Sequence, residues 1–203
     1  MKISNVKKEK NVLTFDIEGI TPSFANTLRR LMLSEVPVLA IDDVTIYENG
    51  SALYDEIVAH RIGLVPIKTD LRTFKLPDKC TCKGKGCPKC QVSFTLVKKG
   101  PCTVYSGDLK SNDPKTTVTD TNIPITKLLE NQKVKIEAIA MLGKGKEHAK
   151  WQTGVISYGY EKGTNPVFSF RVESHGNLEP GKIVSEAAKI LGEKSAELGK
   201  LVK

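Results

Sequence analysis

Four of the five cysteines fall within eleven residues, Cys80 to Cys90, in the run CTCKGKGCPKC. Three chemistries gather thiols, and two of them fit poorly. A disulfide scaffold spreads its cysteines to close long loops, whereas these are bunched. The opening Met1-Lys-Ile-Ser is expected to start a polar strand-like segment, without the hydrophobic run of a secretory leader. A redox pair would use Cys87 and Cys90 alone, with a depressed thiol pKa, and would leave Cys80 and Cys82 without a role. A four-thiolate metal site uses all four. The spacing C-x-C-x4-C-x2-C supplies two close pairs, and Gly84 and Gly86 let the loop fold both around one tetrahedral ion. One structural zinc ion held by Cys80, Cys82, Cys87 and Cys90 is therefore expected, and the same four thiolates also suit iron. A closed shell of four thiolates has no vacant position, so such an ion staples the chain and does not catalyse. Zinc nucleobase deaminases carry a similar P-C-x-x-C element but need an upstream H-x-E. The histidines here read His60-Arg-Ile, His148-Ala-Lys and His175-Gly-Asn.

With 203 residues, 39% of them hydrophobic, the chain has material for one sizeable domain or two small ones. The longest apolar runs are only a few residues, so no membrane span is expected. Clustered cysteines point to a reducing cytoplasm. The net charge of +8 comes from 31 basic and 23 acidic residues, with lysines scattered through every segment. A nucleic-acid footprint would cluster them with stacking aromatics, and only 6% of the residues are aromatic. No direct specific DNA contact is expected, and an acidic protein partner would use the charge equally well.

Alternation of Leu13, Phe15 and Ile17 marks a strand with one buried face. Thr21 and Pro22 then read as N-cap and first residue of a helix that Pro37 ends. That helix puts Phe24, Leu28 and Leu31 on one face, with Ala25 and Met32 beside it, and projects Arg29 and Arg30. A strand over VLAIDDVTIYEN, the Asn49-Gly50 turn and a helix to about Arg61 follow. His60, near that helix end, is read as a residue satisfied by packing or by the helix dipole. QVSFTLVKK and KVKIEAIAML alternate as strands, with a turn-rich stretch between them leading to a short helix near ITKLLEN. Strands over GVISYGYE and VFSFRVES precede a terminal helix from about Pro180, which carries Ile183, Ala187, Ile190, Leu191, Leu198 and Leu201 at helical spacing. This helix could cover the chain's own sheet or, with the Thr21 to Val36 helix, form half of an intermolecular interface. Periodicity alone leaves both open.

Nucleophile elbow, P-loop, dinucleotide fingerprint and H-E-x-x-H are all missing from the sequence, and Gly143-Lys-Gly145 is too short for a phosphate cradle. Cys102 stands alone and reads as a small buried hydrophobe. Two rival functions remain open from the residues: a free-standing zinc-loop nucleic-acid binder, and a thiol oxidoreductase using Cys87 and Cys90.

The run NTLRRLMLSEVP, continued through AIDDVTIYENGSALYDEIVAHRIGLVPIKTD and resumed in GKEHAKWQ and RVESHGNLEPGKIVSEAAKILGEK, closely resembles the D-subunit family of archaeal RNA polymerase. That family is the counterpart of the eukaryotic third-largest subunit and of the amino-terminal domain of bacterial alpha. The resemblance implies an α+β protein with a discontinuous dimerisation domain, residues 1–45 and 152–203, made of a sheet and two interface helices. Residues 46–151 would be an inserted mixed domain, with the four-cysteine metal loop at 80–90. It implies a non-catalytic assembly subunit of a nucleotidyltransferase that heterodimerises with subunit L, recruits the small subunits N and P, and docks the second-largest subunit. By the same resemblance Phe24, Leu28, Leu31, Met32, Ile183, Ala187, Ile190, Leu191 and Leu198 would face subunit L, and Arg29 and Arg30 would help bind the large subunits. Some members carry an iron-sulfur cluster domain; this chain has no cysteine after Cys102, so none is expected.

Overall fold

The computed structural model describes residues 1–82, 85–161, 163 and 165–202. They divide into two compact units, Met1–Val36 with Lys144–Lys203, and Pro37–Gly143. The sequence reading places the division near 45 and 152. The strand ladder moves it: β3 (Val38–Asn49) runs without a break and is paired from Val38 opposite Gly143 onward with β8 (Lys133–Gly143). A boundary at 45 would cut that hydrogen-bonded strand in two.

The first unit is built on an antiparallel sheet ordered β1 (Lys2–Glu9), β2 (Val12–Glu18), β10 (Phe168–Ser174) and β9 (Gly154–Tyr160). Period-two alternation sends Leu13, Phe15, Ile17, Phe168, Phe170 and Val172 to one buried face. Phe15 lies opposite Phe170 in the ladder, and their rings stack with centroids 5.2 Å apart. The outer strand β1 is blunted as an edge by Lys2, Lys7 and Lys8 and by a bulge between Ser4 and Lys7. At the bulge Asn5 takes a φ of 52°, and its Nδ2 donates to Asp16 Oδ2 at 2.7 Å, a local bond that makes the left-handed backbone tolerable.

Two helices belong to this unit, α1 (Pro22–Ser34) and α3 (Pro180–Leu201). The expected N-cap is present: Thr21 Oγ1 accepts from the Phe24 N–H at 3.2 Å, with Pro22 in the first turn. Ala25, Leu28, Leu31 and Met32 are buried at helical spacing. The buried Thr153 hydroxyl donates to the Met32 carbonyl at 2.8 Å, which ties the last turn of α1 to the residue preceding β9.

The second unit holds a sheet ordered β3, β8, β4 (Gln91–Lys99) and β6 (Lys110–Ser111). A two-stranded ribbon of β5 (Cys102–Tyr105) and β7 (Pro124–Leu128) and the helix α2 (Asp55–Gly63) complete it. Leu39, Ile41, Val58, Ile62, Phe94, Leu96, Ile125 and Ile136 form its continuous core. The short helix expected near ITKLLEN is instead the strand β7, with Cys102 opposite Leu128 and Val104 opposite Thr126. The apolar pair Ile125 and Leu128 sits at a spacing that suits a helix. Pairing with β5 wins because both side chains then reach the core, each 1% exposed.

Candidate metal centre and helix surface

The cysteine loop is anchored at both ends. A 3₁₀ turn at Pro77–Lys79 lets the Cys80 N–H donate to the Pro77 carbonyl at 3.2 Å, and the Cys90 and Gln91 N–H groups both donate to the Cys87 carbonyl at 2.9 Å. The Lys75 N–H reaches across to the Lys89 carbonyl at 2.9 Å and closes the base of the loop. Gly86 has a φ of +88°, a conformation open to glycine at no steric cost. Gly84, the other glycine singled out in the sequence, lies outside the described residues.

Within this frame the four sulfurs converge. Cys80 Sγ lies 3.5 Å from Cys87 Sγ, Cys82 Sγ 3.5 Å from Cys90 Sγ, and Cys87 Sγ 3.7 Å from Cys90 Sγ. All four Sγ atoms are within 4.8 Å of one another. A tetrahedral ion with metal–sulfur bonds of about 2.3 Å holds its sulfurs about 3.8 Å apart. The observed contacts match that edge and are far too long for a disulfide, whose S–S bond is about 2.05 Å. Burial pushes the Cys90 thiol up to about 12, reinforced by its neighbour Cys82. The donor set therefore fits a metal ion, which must displace the thiol protons on binding.

The residues expected to face a partner occupy two different environments. Leu28, Leu31, Met32, Ile183 and Ala187 are buried in the core of their own unit. Phe24, Ile190 and Leu191 are half-buried, and Leu198 is 63% exposed. Beyond it Leu201 and Val202 are also exposed. Arg29 is half-buried, and its Nε and Nη2 donate to Asn26 Oδ1 at 3.3 and 3.0 Å; Arg30 projects into solvent. His60 is exposed in the last turn of α2, and Cys102 stands apart from the cluster with its thiol donating to the Lys99 carbonyl at 3.5 Å.

One arrangement escaped sequence reasoning. Glu35, at the C-cap of α1, is a nearly buried carboxylate met by Lys144, Lys146 and Lys194. An acidic residue at the negative end of a helix, just before a proline, was the available signal.

A discontinuous sheet-and-helix unit and a second unit carrying four convergent thiols define a class also marked by sequence similarity. Residues 44–159 match the family described as RNA polymerase Rpb3/RpoA insert domain. The match ends inside β9, so the hydrogen-bonded ladders, not its limits, mark the structural boundary. The chain is 48% identical over 140 residues to DNA-directed RNA polymerase subunit Rpo3 of Archaeoglobus fulgidus, covering 69% of this chain and 53% of that protein. It is 46% identical over 166 residues to Rpo3 of Methanosphaera stadtmanae, covering 79% and 61%. With Rpo3 of Thermoplasma volcanium the identity is 42% over 176 residues, covering 80% and 65%. The chain belongs to the family of the archaeal RNA polymerase subunit Rpo3, which is the D subunit of that polymerase. The alignments span between about half and two thirds of the length of these relatives.

Proposed function

We propose that the chain acts as a non-catalytic assembly subunit of an archaeal DNA-directed RNA polymerase in the cytoplasm. Its first unit pairs with subunit L through α1 and α3, and the pair presents a platform to the small subunits N and P and to the second-largest subunit. One structural zinc ion held by Cys80, Cys82, Cys87 and Cys90 staples the second unit. Arg30, free of its own helix, and Arg29 are assigned to the large-subunit contact.

The observation that carries this reading is the apolar stripe of α3. It starts in the core at Ile183 and Ala187, passes the half-buried Ile190 and Leu191, and continues into solvent at Leu198 and Leu201, 63% and 79% exposed. Water-exposed leucines at helical spacing favour a second helical surface, and an obligate interface of this kind buries on the order of 2,000 Å² or more. The convergence of Cys80 and Cys82 on Cys87 and Cys90 speaks against the oxidoreductase alternative, which would use the last two alone.

Hydrogen exchange of the chain, free and mixed with subunit L, tests the pairing. Protection should appear along 188–201 and at the exposed face near Phe24. An exchange map unchanged by subunit L would refute it.

A further inference from the structure

The C-terminal end of a helix is a poor place for a carboxylate, because unpaired carbonyls concentrate negative potential there. Glu35 nonetheless occupies that end of α1 with its side chain only 10% exposed. Lys144 Nζ donates to its Oε2 at 3.1 Å, Lys194 Nζ donates to its Oε1 at 3.1 Å, and Lys146 Nζ lies 3.7 Å from Oε1. Burial by itself would raise the Glu35 carboxyl; the hydrogen bonds and charges of Lys194 and Lys144 outweigh it and hold the group below its ordinary value of 4.5.

The three lysines are not equivalent. Lys144 and Lys146 flank Gly145, in the segment too short to cradle a phosphate, and the backbone clamps that turn onto α1. The Lys146 N–H donates to the Ser34 carbonyl at 3.1 Å, and a Cβ on Gly145 would fall 2.1 Å from the Leu33 carbonyl oxygen. These two cations are enough to neutralise one carboxylate. The third is drawn from α3. Lys194 lies on the same helical stripe as Ile183, Ala187 and Leu198, at the point where that stripe leaves its own unit. Among the described residues from Ala188 to Leu201, Lys194 is the one whose side chain bonds another element, since the pair of Lys189 with Glu193 stays within the helix.

We infer that Glu35 and Lys194 are a positioning pair that fixes the direction of the partner-facing half of α3, with Lys144 and Lys146 holding the Glu35 carboxylate in place. The inference rests on the pairing proposed above. A stripe held in its bound direction before encounter loses less freedom on association, and so binds more tightly.

Lys194→Met keeps the apolar stem and leaves Glu35 with two cations, so the fold is spared. In the free chain it should raise hydrogen exchange over 188–201, while the far-ultraviolet dichroism spectrum and metal content stay those of the unsubstituted protein. Affinity for subunit L, by titration calorimetry, should fall roughly fivefold, the scale of a partly exposed ion pair. Lys194→Arg, which keeps charge and reach, should restore both readings. Unchanged exchange in the free Lys194→Met chain overturns the positioning pair, as does unchanged affinity for subunit L. If the unsubstituted chain does not bind subunit L at all, the pairing itself fails, and exchange over 188–201 still decides whether the Glu35–Lys194 bond fixes the helix.

Discussion

The helices α1 and α3 carry the same kind of sequence pattern and meet different fates. Each opens with a proline in its first turn and repeats apolar residues at helical spacing. Yet α1 buries Ala25, Leu28, Leu31 and Met32 along its whole length, whereas α3 buries only Pro180, Ile183 and Ala187, all in its first half. The difference lies in what each helix has to cover. The 13 residues of α1 match the face offered by their own unit; the 22 of α3 overrun it. At 1.5 Å of rise per residue the extra length carries Leu198 and Leu201 roughly 16 to 21 Å past Ala187, the last buried residue. Amphipathicity therefore identifies a face that wants cover without saying which molecule covers it.

The sharpest way to break this contrast is to shorten a buried side chain in α1. Met32→Ala, at a fully buried position in α1, should cost about 2–5 kcal/mol in chemical denaturation. A loss below about 0.5 kcal/mol would mean that α1 is not core. At the other end of the same helix, Thr21→Ala removes the cap of the Phe24 N–H and should cost about 1 kcal/mol, measured as a shifted denaturation midpoint.

Acid offers a subtler discrimination. The Glu35 carboxyl is held below its ordinary 4.5, so its contribution is complete above that pH and is lost as pH falls through the lower folded value. Asp70, held down chiefly by the Arg72 N–H, and Asp113, held down chiefly by the Thr116 hydroxyl, act in the same sense below 3.8 in the second unit. On acidification, exchange over 188–201 should rise before exchange in α1; simultaneous loss would contradict the separate anchoring of α3. The smallest effect is expected at Leu198→Ser. Free-chain stability should stay within about 0.5 kcal/mol, as at ordinary surface positions, while binding to subunit L weakens.

Much of this was legible in residues alone. The strands with strict alternation, β2, β4, β8 and β10, follow from Leu13, Phe15 and Ile17 and their counterparts, because burial of one face demands that period. The cap of α1 follows from Thr21 and Pro22. The cysteine cluster follows from spacing, and the structure adds the 3.5 Å contacts that bring the thiols close enough to hold a metal ion. The ribbon of β5 and β7 was not legible, because the three-residue spacing of Ile125 and Leu128 reads as helical, and only the register shift between Val104 and Tyr105 lets both reach the core from a strand. Nor was the division at Val36 and Gly143, which depends on a pairing between residues about a hundred positions apart. Glu35 was hidden for the same reason: its lysines come from the turn at 144–146 and from α3.

The metal and the free stripe of α3 meet in one measurement, native mass spectrometry of the chain alone and mixed with subunit L. The account predicts a one-to-one complex that carries the mass of one zinc ion, removable by chelation. A chain that stays alone and metal-free beside subunit L would contradict it.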